Sequence, residues 1–579
     1  MRQQQQQRAP VSAPPRGTWA GARARKAWND RTLVSAAFVT SSFSSRRRRR
    51  RCQYYGQTEP LCLSLLRRID CPHWEACAGC TLQDATAQAR PPIFEQVATF
   101  FAETFGYQLP EPVVASSSHH WRTLAKLAVR RAPKTPHQNR VDKVRSWAPQ
   151  LGLFRAGTHE VVAIPECQVH HAALNKAFKC LECVLARSAV AIYDERRPRL
   201  ESLRYVQLAV ERRTGRVQLV LVGYREPTSQ PVAPSRRRTD ASLLTPTWRM
   251  LCDQLWEEGK RFGSKQQLWH SIWVHMHAGR GNAIFASAHE ASQTETAQWQ
   301  QVYGDAPFII DEPLAGEPGP VMVLPPFAFQ QANLTAYRAM LPLIGFWCMQ
   351  PLPSSVQRRC NVAAMTSQPQ VGTVASRSMP VLRIAEFCAG VGSIGLSVVR
   401  QMQQLPNAPA HIYLWASDIH PGGQVAFWET ARRNGLLDER VRSALELRYQ
   451  VGSLTALAQR VHDPKVAASI VIADPPRAGL GPVFISEVLG KALTPSATDD
   501  AASSRLERFI YVSCSMSSFM RDVRQLVSFA PNDRNRDASE PTVCWTLRHA
   551  QPYLFFPGAD HLEMVAVFDR QVRGRCRMS

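Results

Sequence analysis

The sequence predicts an α/β protein with two unlike halves, a β-rich one followed by one built on a parallel sheet, and three observations carry this expectation. From Val381 onward the chain repeats strand, turn and helix: 381–388 then 392–404, 411–416 then 421–434, 469–473, and 508–513 then 517–529. That alternation is the rhythm of a parallel sheet whose working loops gather at the strand C-termini. From about 120 to 345 apolar strand-like runs alternate with short polar turns instead. Ahead of both lies a segment whose composition belongs to neither half.

That segment comes first in the chain. The 579 residues hold 70 Lys and Arg against 46 Asp and Glu, a net charge of +24. Residues 1 to 51 alone carry thirteen of the basic residues, six of them in the run Arg46 to Arg51, and a single acid, Asp30. Rich in Arg, Ala, Ser and Gln and without a compact apolar core, 1–55 reads as a disordered basic arm of the transit-peptide kind, directing the chain to a plastid or mitochondrion. A nuclear import signal or a nucleic-acid-binding tail in a nuclear or cytoplasmic protein is the competing reading. The rest of the chain is only mildly basic and, at 45% hydrophobic residues overall, can bury a full core. No apolar run approaches a membrane span, so no membrane partner is expected. Fifteen cysteines in a chain this long are too few for a disulfide scaffold.

Region 56–320 opens on a cysteine cluster, followed by an amphipathic stretch from Ile93 to Phe105 that predicts a helix. Leu203 to Val210 and Val217 to Tyr224 flank a turn containing Gly215, and Ile272 to His277 and Ala283 to Ala286 flank Ala278 to Asn282, so both pairs predict hairpins. Polar stretches at 226–242, 351–379 and 494–505 predict insertions or linkers. The cluster itself is Cys71, Cys77 and Cys80, spaced C-x5-C-x2-C, with Cys167 further on. Three soft thiolates on one short loop suit zinc or an iron-sulfur cluster equally by spacing, with Cys167, His73, His170 or His171 able to complete the set. Cys180 and Cys183 also spell C-x2-C, but they lie in the apolar run Leu174 to Leu185 and predict helix packing.

In the second half, 321–579, the strand Val381 to Phe387 runs into Cys388-Ala389-Gly390-Val391-Gly392-Ser393-Ile394-Gly395. Glycines there let a cofactor approach the backbone at a helix N-terminus. Asp418 ends the next strand and suits the paired hydroxyls of a ribose, which fits NAD and S-adenosylmethionine alike. Two further strands deliver Asp474, stiffened by Pro475 and Pro476, and the thiol of Cys514. Near the C-terminus His561 and Glu563 precede a last apolar strand, Met564 to Phe568. A thiol and a carboxylate beside a methyl donor have a concrete use. Uracil C5 is a poor nucleophile until a thiolate adds at C6, and a base must then remove the C5 proton so that the thiol can leave.

Taken together, these residues resemble the S-adenosylmethionine-dependent RNA uracil-C5 methyltransferases, the family that forms 5-methyluridine, and the likeness runs from about 65 to 570. In that family C-x5-C-x2-C with a remote cysteine holds a [4Fe-4S] cluster, which implies Cys71, Cys77, Cys80 and Cys167 as its ligands. The F-x-Q-x-N segment, Phe329 to Asn333, implies Gln331 at the methyl donor. The resemblance further implies Cys388, Gly390, Gly392 and Ser393 beside the cofactor, Asp418 on its ribose, Asp474 of D-P-P-R-x-G near sulfonium and base, Cys514 as nucleophile and Glu563 as proton acceptor. The implied fold is a C-terminal Rossmann-like methyltransferase domain behind a β-rich region with an iron-sulfur loop.

Three positions depart from the family pattern: Met516 stands where a proline follows the nucleophile, Ala559 replaces a threonine, and Ser453 takes the place of an acid that often faces the adenine. No N-terminal oligonucleotide-binding barrel is expected from the residues given ahead of Cys71. RNA contact is then expected of the central region, with Arg122, Lys126, Arg130 and Arg131 as candidates and an ordinary solvated strand face as the nearly equal alternative. The expected reaction is methylation of a uridine, in organellar rRNA or alternatively tRNA, by a monomer with a structural cluster. A catalytically inert RNA-binding or ribosome-assembly protein and an NAD-dependent oxidoreductase are the rival classes.

Overall fold

The computed structural model describes residues 63–134, 147–199, 201–225, 244–263, 266–279, 284–285, 299–353, 381–406, 408–493, 506–528 and 542–573. The arm 1–55 lies outside them, as do 226–242, 494–505 and all of 351–379 but its first three residues.

The β-rich half forms a seven-stranded sheet: β1 (Leu124–Pro133), β2 (Trp147–Phe154), β3 (Val161–Ala163), β4 (Ser202–Glu211), β5 (Arg216–Tyr224), β6 (Trp269–His277) and β7 (Trp299–Tyr303), in the order β3-β2-β1-β4-β5-β6-β7. The predicted hairpin from Leu203 to Tyr224 is the antiparallel pair β4 and β5, its turn closed by Gly215 at φ 72°. The second predicted hairpin differs. Ala283 and Ala286 lie outside the described residues, Ile284 and Phe285 form a bend, and β6 takes β7 as its antiparallel partner. β5 and β6 run parallel, which demands a crossover, and the helix Pro246–Phe262 supplies it. That helix and Ala172–Arg187 bury Leu174, Phe178, Leu181, Trp248, Leu251 and Leu255 on one face of the sheet. Cys180 is fully buried in this layer, as the packing reading of its C-x2-C expects.

A two-stranded sheet, β8 (Ile309–Asp311) and β9 (Met322–Leu324), leads to the second half. There β10 (Val381–Phe387), β11 (His411–Asp418), β12 (Leu445–Val451), β13 (Ile470–Ala473), β14 (Arg508–Ser513), β15 (Thr542–Tyr553) and β16 (Glu563–Arg573) stand in the order β12-β11-β10-β13-β14-β16-β15. The first five are parallel, and β16 runs antiparallel to both β14 and β15. Alternate residues of each strand feed two cores: Ile384, Leu414, Ile472 and Ile510 point to one, Phe387, Trp415, Ala473 and Tyr511 to the other. A sheet covered on both faces needs near-continuous apolar strands, which is why these runs are legible in the sequence.

Two packings depart from a simple division at 320. The helix Pro92–Phe105, predicted from its amphipathic pattern, buries Phe94, Val97 and Phe101 on the C-terminal sheet, where Phe101 meets Phe519 at 5.9 Å between centroids. The β4–β5 turn sends Arg212 to Asp311 and Glu317, and Arg338 of the helix Leu334–Met349 meets the same Asp311 at 2.6 Å. Buried guanidinium groups persist only when paired; this network pairs two of them with two carboxylates and so ties the β4–β5 turn, β8 and the second half together.

Candidate active site at the carboxyl edge of the C-terminal sheet

Cys388, Asp474 and Cys514 each follow directly on the last residue of β10, β13 and β14, and Asp418 is the last residue of β11. The parallel register therefore delivers all four to one edge. Glu563 reaches it from the opposite direction, because β14 and β16 are antiparallel and pair Ser513 with Met564. In that register Cys514 and Glu563 occupy the next facing position, immediately beyond the end of the ladder.

The turn after β10 takes a backbone path that depends on glycine. Cys388, Gly390 and Gly392 have φ of 56°, 55° and 76°, a region only glycine enters without strain. A Cβ on Gly392 would meet Phe427 at 2.2 Å, and one on Gly395 would meet the Glu386 carboxylate at 2.3 Å. Glu386 instead accepts the Gly395 N–H at 3.1 Å. Ser393 opens the helix Ser393–Gln403, and its Oγ lies 2.5 Å from the hydroxyl of the buried Tyr337. Asp418 accepts the N–H groups of Gly390 and His420, one on each oxygen, both at 2.9 Å. The Tyr449 hydroxyl donates to Gly390 O at 2.7 Å.

Charge is unbalanced here. Burial and the neighbouring Asp474 and Asp418 push Glu386 up to about 8. Asp474 is raised by burial and by Asp418, and Glu563 well above the carboxylate range by burial and by Asp474. The same surroundings push the Cys514 thiol up to about 11, burial first, then Glu563 and Asp474; Arg477 opposes this. A pocket with four acids and one opposing guanidinium suits a ligand that brings its own positive charge and hydroxyl donors. S-adenosylmethionine, with a sulfonium and a ribose, fits that demand.

Gln331 is half-buried, and among the described residues nothing hydrogen-bonds its side chain. Its neighbour Asn333 is committed: fully buried, it caps the helix Leu334–Met349 and donates to Ser116 Oγ at 2.7 Å and Phe555 O at 2.8 Å. The departures have structural duties. Ser453 caps the short helix after β12, Met516 is buried at the start of the helix Met516–Ser528, and Ala559 lines the cysteine cavity.

Cys71, Cys77, Cys80 and Cys167 are all unpaired by disulfides and line one cavity of about 210 Å³ with His73, Arg122 and Phe556. Among the described residues no group of three or more His, Cys, Asp or Glu is placed to hold a metal ion. Burial holds the Cys80 thiol up at about 12, with Cys77 and Cys167 raised as well. Four free thiols around one cavity are the donor chemistry that an iron-sulfur cluster takes, once they are deprotonated.

The basic quartet is not one RNA-facing set. Arg130 is locked to Glu195 at 3.0 Å among Phe154, Tyr193 and Tyr205, and Arg131 meets Asp194 at 3.5 Å. Arg122 lies over Trp121 and lines the cysteine cavity together with Lys126, which is the more exposed of the two.

No family model matches the chain. An uncharacterized RNA methyltransferase of Protochlamydia amoebophila is 27% identical over 502 residues, covering 87% of this chain and 98% of that protein. The relatives carry one name. Uncharacterized RNA methyltransferases of Bacillus anthracis (20% identical, 86% of this chain and 82% of that protein) and Gloeobacter violaceus (22%, 73% and 67%) match as well. Among solved structures, the tRNA (uracil-54, C5)-methyltransferase of Pyrococcus abyssi in complex with S-adenosyl-L-homocysteine aligns over 85% of this chain and 86% of its own, at 16% identity and a TM-score of 0.47.

Sequence reasoning missed Tyr337, Tyr449 and Asp522. Asp522 is buried in the helix Met516–Ser528 and accepts the Leu480 N–H at 2.7 Å and the Tyr511 hydroxyl at 2.8 Å, anchoring the loop that follows Asp474. An acid on an amphipathic helix carries no local signal that it points inward.

Proposed function

We propose that this chain is an S-adenosylmethionine-dependent RNA methyltransferase acting on C5 of a uridine. The observation that carries the reading is the facing pair Cys514 and Glu563 beyond the β14–β16 ladder, beside Asp474. The names of the relatives support the RNA methyltransferase class.

Cys514 Sγ adds to C6 of the base, and the C5=C6 electron pair becomes nucleophilic at C5. S-adenosylmethionine supplies an electrophilic methyl group and leaves as the neutral thioether. Glu563 then takes the C5 proton, the C–H pair re-forms C5=C6, and the Cys514 thiolate departs. Asp418 orients the ribose of the methyl donor, and Gly390, Gly392 and Ser393 let its amino-acid end approach the helix N-terminus. Gln331 and Cys388 border the same donor. Cys71, Cys77, Cys80 and Cys167 would hold a [4Fe-4S] cluster with a structural role, since no step transfers an electron. The acid-poor arm supports an organellar enzyme, with rRNA as the substrate and tRNA as the other RNA to be assayed.

The test uses purified protein, labelled methyl donor and 5-fluorouridine-substituted rRNA and tRNA. Fluorine cannot leave as a proton, so a covalent protein–RNA species accumulates with the wild type and is absent with Cys514→Ala. Neither an adduct nor 5-methyluridine on any RNA would leave the inert RNA-binding reading.

A further inference from the structure

The loop that carries the proton acceptor rests on the loop that carries the cysteines. Leu554 to Leu562 connects β15 to β16 and ends one residue before Glu563. Its buried Gly558 carbonyl accepts two N–H groups from the residues just after Cys80: Thr81 at 2.7 Å and Leu82 at 2.9 Å. Two residues on, the Asp560 N–H donates to Thr81 Oγ1 at 3.0 Å, and the Asp560 carboxylate accepts the Ile93 N–H at 2.8 Å. Gly558 sits at φ 95°, and a Cβ there would meet Ile69 Cδ1 at 2.6 Å. Side chains continue the contact. Phe556 lines the cysteine cavity against Trp121 and stands edge-on to His561, with centroids 4.7 Å apart.

We propose that the Cys80-to-Leu82 segment is the clamp that positions Glu563, with Thr81 and Gly558 as positioning residues for proton removal from C5. The inference rests on the Cys514 and Glu563 reading above. Cys514 is supplied by β14 and does not depend on the clamp, so the two halves of the reaction separate. With the clamp loosened, the Sγ–C6 bond still forms and C5 still accepts the methyl group. The C5 proton then has no well-placed acceptor, C5=C6 does not re-form, and Cys514 stays bonded to the base. A protein disturbed 482 residues away in sequence (81 against 563) thus stalls late, at the methylated adduct.

The experiment follows single turnovers on ordinary RNA with labelled methyl donor, quenched into denaturant. Thr81→Val removes the Oγ1 acceptor, Gly558→Ala forces the loops apart, and Thr81→Ser keeps the hydroxyl. Losing one such hydrogen bond corresponds to about threefold to tenfold in rate, so Thr81→Val should prolong the methyl-bearing adduct by that factor, with Gly558→Ala at least as strong and Thr81→Ser close to wild type. Adduct formation on 5-fluorouridine RNA should stay within about twofold for Thr81→Val, a difference below 0.5 kcal/mol. Release of 5-methyluridine at the wild-type rate by both variants would overturn the clamp. So would equal slowing of formation and release, the mark of general loosening. Failure of the wild type to form any adduct would instead remove the nucleophile and base reading on which the clamp depends.

Discussion

The carboxylate of Asp418 receives the backbone N–H of Gly390 on one oxygen and that of His420 on the other, each at 2.9 Å. One side chain therefore fixes both the cofactor turn after β10 and the entry to the helix Pro421–Arg433. Its remaining lone pairs are those that would receive a ribose.

Asp418→Asn keeps the size but offers one acceptor oxygen to two N–H groups. A hydrogen bond to a charged acceptor is worth about 1.5–3 kcal/mol, so S-adenosyl-L-homocysteine should bind about ten- to a hundredfold more weakly by calorimetry. Unchanged affinity would remove Asp418 from the cofactor site.

Both chemical groups act deprotonated, and burial with neighbouring carboxylates holds both above their ordinary values, the Cys514 thiol at about 11. Raising the pH populates thiolate and carboxylate, so kcat/KM should climb steadily from about pH 6 to about pH 9. A profile that falls over that range would contradict the assignment of Glu563 as base.

Breaking the buried pair between Arg338 and Asp311 leaves an uncompensated charge. Arg338→Met should cost about 3–5 kcal/mol, read as a lower urea midpoint. Because Arg212 shares Asp311, the Arg212→Met and Arg338→Met effects should fall short of additive, and strict additivity would mean that the network is not one unit.

Asp522→Ala removes the acceptor for Leu480 N–H and the Tyr511 hydroxyl. Each stranded group costs about 1–3 kcal/mol, so thermal stability should drop and 5-fluorouridine adduct formation slow together. A stable variant with full activity would show that the loop after Asp474 holds itself.

Anaerobically purified protein should be brown, with about four irons per chain, and Cys80→Ser should lose the colour. Stoichiometric zinc in place of iron would replace the cluster assignment.

Much of this was legible because the chemistry sits where strands end. Cys388, Asp418, Asp474 and Cys514 are each preceded by an apolar run long enough to read as buried strand, and parallel strands share one carboxyl edge. Less visible were features set by distant packing. β12 and β15 carry charged residues among their apolar ones, as edge strands do, and escaped notice. Nothing in the pattern of Pro92–Phe105 says which sheet it covers. Arg130 looked available to RNA because its partner Glu195 stands 65 residues away. Tyr337 and Asp522 act through contacts that no local spacing encodes.

The antiparallel ladder of β14 and β16 works as a gauge block for the reaction. Six facing pairs, from Arg508 with Asp569 to Ser513 with Met564, set the backbone spacing between nucleophile and base, and the clamped loop before Glu563 is left to aim the carboxylate. One residue inserted between Glu563 and Met564 would turn the carboxylate to the opposite face of the sheet, and the thiol would keep its substrate without a way to let it go.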